Sequence, residues 1–337
     1  MAKKGRKYIY ISNLNFDGTV FQTQVLDWLH LYDSYGLDFN LVQAFHVKDL
    51  IRPGFIVQQT SRIRKNTSLF KGYVYLFPSK GILYLVNTII IFLKLLKPIL
   101  EYKEILIFSR ALIGREIRML RKISPAKILF YFDGRAASAE ENRYVSRISN
   151  SFTLDRFKTI ATISYLEYFT LNSADKIFVV SNKLMDYFKI TYNLKYKKFV
   201  YYPCLSDSER FYFSNEIRKE VRAQLRIEDN TLLIVYSGGV QSAWHLTAKM
   251  FTFINHLFKQ ENHFKILFLT KDLAVIEKMK DEFPGLTSLN ILSFSVPNNE
   301  VIKYLNAADY GILFRENTVM NNVASPTKYA EYMLCGL

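Results

Sequence analysis

Residues 231–239, TLLIVYSGG, decide the fold. An unbroken apolar run of strand length has no polar alternation, as expected of a strand buried on both faces, and it stops at a serine and two glycines. Helical spacing follows at about 245–259, then a strand at 264–269, a helix at 273–283 and a strand at 289–293. A helix at 299–307, a strand at 309–314 and a last helix from about Pro326 complete the series. Toward the amino terminus the same alternation recurs. Residues 8–12 (YIYIS) form a strand, Asn13–Thr19 a loop, and Val20 to about Tyr35 a helix closed by Gly36 at a left-handed C-cap. Further strands are expected at 39–46, 72–77, 104–108 and 128–132. Strands alternating with helices imply parallel sheets covered on both faces. The series breaks in a charged region near 203–228, so two Rossmann-like domains are predicted, 1–203 and 204–337. The chain stops just after a helix, at Cys335-Gly336-Leu337, and the second domain is therefore expected to be incomplete at its C-terminal end.

Composition excludes several classes. Half of the 337 residues are hydrophobic, with 27 Phe and 23 Tyr but only 13 Gly and 8 Pro, which rules out a disordered or linker-rich chain. Cys204 and Cys335 lack metal-ligand spacing and read as two apolar thiols, in keeping with a cytoplasmic setting. The basic start, Met1 to Lys7, runs straight into strand-like sequence and does not look like a secretory leader. Charge is uneven: residues 1–128 hold 20 Lys and Arg against 8 Asp and Glu, a net +12, whereas 129–337 hold 25 against 22, a net +3. A basic first half implies an anionic partner. No nucleic-acid-binding motif is found, which leaves an anionic membrane surface as the expected partner. Residues 81–100, GILYLVNTIIIFLKLLKPIL, bear on this. They have the length of a spanning helix but carry Asn87, Lys94 and Lys97 and end at Pro98, so three readings stand, a membrane-surface helix first, then a core helix, and a spanning helix last. Arginines 110, 115, 118 and 121 with Lys122 follow and suit anionic head groups.

Open parallel sheets bind ligands at the carboxyl ends of their strands, and anions favour helix amino termini. Three loops qualify. Asn13–Thr19 holds Asp17-Gly18 at its tight point, and Ser237-Gly238-Gly239 leads through Trp244 and His245. The third is Ser325-Pro326-Thr327-Lys328-Tyr329-Ala330-Glu331-Tyr332, where Ser325 is a good N-cap and Pro326 suits the first helical position. Lys328 in that first turn opposes the helix dipole, so an anionic ligand explains it better than helix stability does. Asp133-Gly134-Arg135 ends another strand, and a carboxylate there beside an arginine suits acceptor binding, as does Asp17.

Residues 324–337, ASPTKYAEYMLCGL, resemble the SPTK-x-x-EY-x-x-x-GLP signature of glycosyltransferase family 4. Ala174–Ser181 is similar to that family's AD-x-I-x-x-VS strand, Tyr202-Pro203-Cys204 with Asp207 and Phe211 to its link between domains, and Asn306–Leu313 to its xAADxGIL strand. The resemblance implies a GT-B fold, two Rossmann-like domains whose parallel sheets face across a cleft. It further implies retaining, metal-independent transfer from a UDP- or GDP-linked sugar held by the second domain to a glycan or lipid-linked acceptor held mainly by the first. No other cofactor is expected. The setting would be surface polysaccharide synthesis, with the enzyme cytoplasmic and peripheral to the membrane. By the same resemblance Glu331 would hold the donor ribose, and Lys328 with the amides around Ser325, Pro326 and Thr327 would meet the diphosphate or sugar. Glu331 and Lys328 are thus the catalytic candidates. Gly18, Gly238, Gly239 and Arg315 complete the donor set. Two departures stand out. Val323 occupies the place of the first carboxylate of the family's Glu-x7-Glu, and the loop Ser237–His245 supplies neither the expected Arg nor Lys. A nucleotide-sugar epimerase of the same fold and a non-catalytic sugar-nucleotide-binding protein are the alternative readings.

Overall fold

The computed structural model describes residues 3–16, 19–78, 82–148, 154–194, 198–241, 246–260, 263–283, 285–287 and 290–337. The chain divides into two compact units: residues 1–203 with 322–325, and residues 204–321 with 326–337.

The first unit is built on β1 (Lys4–Ser12), β2 (Phe39–His46), β3 (Phe70–Leu76), β4 (Tyr102–Ser109), β5 (Lys127–Gly134), β6 (Lys176–Val179) and β7 (Phe199–Tyr201). They form one parallel sheet in the order β3-β2-β1-β4-β5-β6-β7. The apolar runs are long because helices cover both faces. Tyr10, Leu41, Leu106 and Phe108 pack with Phe21, Val25, Leu26 and Leu29 from the helical segment that follows β1. That segment contains a π-helical stretch, Gln22–Leu26, and continues as helix Asp27–Ser34. Gly36 lies just beyond it at φ 76°, the left-handed conformation expected there. Residues 199–201 were not anticipated as a strand: three residues are too few to show a period.

The stretch at 81–100 folds as two helices, Leu83–Lys94 and Leu96–Glu101, not one. Pro98 lacks an N–H, and its ring would collide with the Lys94 carbonyl one turn earlier, so the helix breaks at Leu95. Among the described residues no helix is long and apolar enough to cross a membrane, which overturns the spanning reading.

The second unit carries β8 (Leu232–Ser237), β9 (Phe264–Leu269), β10 (Ile291–Phe294) and β11 (Tyr310–Gly311), all parallel, in the order β10-β9-β8-β11. Successive residues serve opposite faces. Leu233, Val235, Leu267 and Leu269 join a core with Leu305 and Tyr332. Tyr236, Ile266 and Phe268 join another with Phe251 and Ile254.

Both units use the same device where an Ala-Asp pair enters a strand. Asp175 donates its N–H to the Phe130 carbonyl and accepts the Phe130 N–H on its carboxylate, which also pairs with Arg121. Asp309 does the same with Leu233 and pairs with Arg218 and Arg222. An aspartate here satisfies a strand-edge amide and a nearly buried arginine together, so these motif residues hold the sheets.

Candidate functional site

In the second unit the carboxyl ends of β8 and β11 lie side by side, with the last helix, Thr327–Leu334, laid against them. Tyr332 sets its position. The ring is buried and lies so close to Gly311 that a Cβ there would sit 2.3 Å from it, while the hydroxyl accepts the Ser237 N–H at 2.8 Å. Gly238 follows at φ 124°, a conformation few side chains adopt, and its Cα hydrogen faces Lys328: a Cβ would fall 2.3 Å from Nζ. Gly239 is held from both sides. Its carbonyl accepts the Tyr236 hydroxyl at 2.7 Å, and the next two amides donate to the Asp272 carboxylate at 2.8 and 3.3 Å.

Lys328 therefore stands over the glycine turn, 3.3 Å from the Tyr236 hydroxyl and 4.7 Å from the centre of its ring. Among the described residues it has no ion-pair partner. Burial, reinforced by the Arg315 charge and only partly offset by Glu331, pushes its ammonium down to about 8. Burial also lowers Arg315, whose guanidinium donates to the Asn321 side chain at 3.2 Å. The Glu331 carboxyl is raised by burial despite the opposing charges of Arg210 and Lys328. The Gly238 N–H is itself taken by the Leu269 carbonyl at 2.8 Å, so it is the two partly desolvated cations beside the turn that can meet a doubly charged anion, with a carboxylate one helical turn away able to accept from hydroxyl groups. Lys328, Glu331, Arg315, Gly238 and Gly239 are thus brought together.

The helix start differs from expectation. Pro326 is the N-cap, extended at φ −71° and ψ 123°, and no side chain caps the helix, so Ser325 is not the cap and Thr327 is the first helical residue. Ser325 belongs by its contacts to the first unit and Pro326 to the second. Val323 is buried, and its carbonyl accepts the Ser181 hydroxyl at 2.7 Å. Asp17, Gly18, Trp244 and His245 lie outside the described residues.

In the first unit Asp133 and Arg135 are closed off. Asp133 accepts the Tyr10 hydroxyl and the Arg135 Nε, each at 2.6 Å, and Arg135 lies 4.7 Å over the ring of Tyr202. Tyr202 in turn bonds the Tyr32 hydroxyl at 2.6 Å. Neither residue lines the cavity of the unit, which encloses about 730 Å³ at the carboxyl ends of β1 to β4. Its wall combines Phe45, Phe77 and Ile163 with Asn13, His46 and Arg52. Burial and the nearby Lys48 charge lower His46, against the opposing pull of Asp49. The cavity can take a ligand with both apolar and anionic or hydroxylated parts.

Sequence reasoning missed Tyr236, Asp272 and this cavity. Asp272 was within reach, since Thr270-Lys271-Asp272 directly follows β9 on the ligand-binding edge of the same sheet. His46 ends β2, and Arg52 follows it on the same edge.

No protein-family model and no curated protein sequence matches the chain. Among solved structures 232 chains match. HepE of Anabaena, solved with UDP and also with UDP-glucose, is similar at a TM-score of 0.63 and 10% identity for the UDP complex, covering 98% of this chain and 79% of that one. WaaG, a glycosyltransferase involved in lipopolysaccharide biosynthesis, is similar at 0.62 and 12% identity, with the same coverage. A glycosyltransferase from Rickettsia africae is similar at 0.58 and 15% identity, covering 92% of this chain and 73% of that one. The chain thus has the α/β fold of the GT-B glycosyltransferases, with two Rossmann-like parallel-sheet units.

Proposed function

We propose that the chain is a glycosyltransferase that takes a sugar from a UDP- or GDP-linked donor and passes it to a glycan or lipid-linked acceptor in surface polysaccharide synthesis. The observation that carries this is Lys328 over the Gly238 turn, with Arg315 and Glu331 beside it. In this reading the diphosphate meets Lys328 and Arg315 over the glycine turn at Gly238 and Gly239, and Glu331 accepts from the ribose hydroxyls. Gly18 and the segment Ser325 to Thr327 complete the donor surroundings. As the bond from the anomeric carbon to the diphosphate oxygen breaks, negative charge grows on that oxygen, and the two cations stabilise it without a divalent metal. The acceptor hydroxyl gives up its proton to the departing diphosphate oxygen as it bonds to the anomeric carbon, with retention of configuration. The first unit supplies the acceptor site, to which we assign Asp17 and the cavity of β1 to β4, while the Asp133–Arg135 pair ties the end of β5 to β1 through Tyr10. The enzyme works at the cytoplasmic face of a membrane.

Incubating the chain with isotope-labelled UDP- and GDP-sugars and extracted membrane lipids tests this. Label should pass into the lipid or glycan fraction, and Glu331→Ala should abolish the transfer. A fully active Glu331→Ala protein would contradict the assignment. Conversion of the nucleotide sugar without any acceptor would favour an epimerase instead.

A further inference from the structure

Helix Leu83–Lys94 departs from ordinary surface helices, which bury an apolar stripe and show a polar one, and helix Leu96–Glu101, which buries Ile99, follows it. On the first of them the buried side chains are Asn87, Thr88 and Ile91. Asn87 uses its whole amide inward: Oδ1 accepts the Phe77 N–H at 2.8 Å, and Nδ2 donates to the Phe77 carbonyl at 3.0 Å and to Glu116 Oε1 at 3.1 Å. The Thr88 hydroxyl closes onto the Tyr84 carbonyl at 2.8 Å. These bonds fix the rotation of the helix. The exposed aliphatic side chains are Ile82 at its N-cap, Val86, Ile89 and Leu93 on this helix and Leu96 and Leu100 on the next, spaced four, three, four, three and four apart in sequence. Their exposure is substantial, 70% for Ile82, 55% for Ile89, 61% for Leu93 and 58% for Leu100. Six exposed aliphatic side chains at this spacing make a patch, not scattered exposure.

The surroundings say what covers the patch. No acidic residue occurs between Gly81 and Leu100. Lys97 is 84% exposed next to the row and only 3.9 Å from Glu101. Arg118 and Lys122 are exposed on helix Gly114–Ile123, which packs against Leu83–Lys94. A second copy docked on this face would bring like charges together, in a segment of net charge +12 over residues 1–128. An anionic lipid surface instead pairs with every one of them while the aliphatic row enters the boundary between head groups and acyl chains. We infer that the row from Ile82 to Leu100 is the element that docks this protein on an anionic bilayer. Phe77, bonded to Asn87 through both backbone groups, also lines the first unit's cavity, so the docking helix and that cavity share one junction. The link from this junction to a lipid-borne acceptor rests on the function proposed above; the docking does not.

The test is co-sedimentation of the full chain with vesicles of phosphatidylethanolamine and phosphatidylglycerol, and with vesicles of phosphatidylcholine alone. Two double variants are compared with wild type, Ile89→Glu with Leu93→Glu and Lys97→Glu with Arg118→Glu. The second changes only exposed charged positions and so keeps the test valid should the first misfold. Wild type should pellet with the anionic vesicles, and each variant should bind them about tenfold more weakly or worse, with an unchanged circular dichroism spectrum. Wild type remaining in the supernatant, or variants that pellet like wild type, would overturn the inference. So would a wild-type dimer that Ile89→Glu with Leu93→Glu separates into monomers, since the face would then belong to a second copy. Nucleotide binding is measured alongside. Vesicle binding without any nucleotide response would refute the transferase reading and leave the docking intact.

Discussion

Raising the pH should weaken donor binding and strengthen the empty protein, and both effects should trace to Lys328. Burial beside Arg315 brings this ammonium to about 8, whereas a free lysine titrates near about 10.4. Between those values the unfolded chain binds a proton that the folded one does not, so stability rises with pH, fully gained above the unfolded value and lost as pH falls through about 8. The full swing is about 3 kcal/mol at most, from a difference of about 2.5 pKa units at about 1.36 kcal/mol each. A bound diphosphate reverses the preference, because it favours the charged amine. Its affinity should be level below about pH 8 and then fall about tenfold per pH unit, until the pKa of the complex is reached. Calorimetric titration with UDP or GDP from pH 7 to 9.5, with thermal melts of the empty protein over the same range, reads both trends. Lys328→Met should bind weakly at every pH and remove both slopes. A donor affinity independent of pH in wild type, or slopes that persist in Lys328→Met, would refute the reasoning.

Other consequences follow from single contacts. Tyr332→Phe removes only the acceptor of the Ser237 N–H, and the orphaned buried amide should cost about 1–3 kcal/mol, measured by urea denaturation. Asp309→Leu leaves the nearly buried Arg222 without its carboxylate and should cost about 3–5 kcal/mol by the same measurement, with expression falling accordingly. Gly238→Ala forces an alanine to φ 124° and puts a methyl against Lys328; a cost of about 1–3 kcal/mol in stability should come with a larger loss of nucleotide affinity in titration.

The alternation of buried strands and helices was legible because parallel strands covered on both faces leave unbroken apolar runs such as TLLIVY and ILIF. Short elements were not, and β7 at Phe199–Tyr201 shows why: its place comes from pairing with β6, not from its own three residues. The break at Leu95 was half visible, since Pro98 interrupts the stretch but its effect falls three residues earlier. In the site, Lys328 stood out because a cation in a helix's first turn is poor helix design, and Glu331 only through the resemblance of its segment to SPTK-x-x-EY. Tyr236 could not be read, as it acts through a backbone group of a turn whose shape the sequence does not display, and Asp272 was marked only by its place just after β9. Asp133 and Arg135 look ligand-directed in sequence, and only their partners Tyr10 and Tyr202, far away along the chain, reveal a closed network. The six-residue apolar row is equally invisible in a stretch that is apolar all round. Its direction depends on Asn87 finding Phe77 and Glu116.

The central claim is that the Gly238 turn with Lys328 and Glu331 binds the diphosphate and ribose of a nucleotide. Thermal unfolding of wild type and Glu331→Ala, titrated with UDP, GDP and their sugar conjugates without added metal, tests it most directly. At about a hundredfold excess over its dissociation constant a ligand contributes about 2.7 kcal/mol, enough to raise the transition by about 4 °C. The account predicts that rise with one of the two nucleotides in wild type and its loss in Glu331→Ala. No rise with any nucleotide, or an equal rise in both proteins, would contradict it.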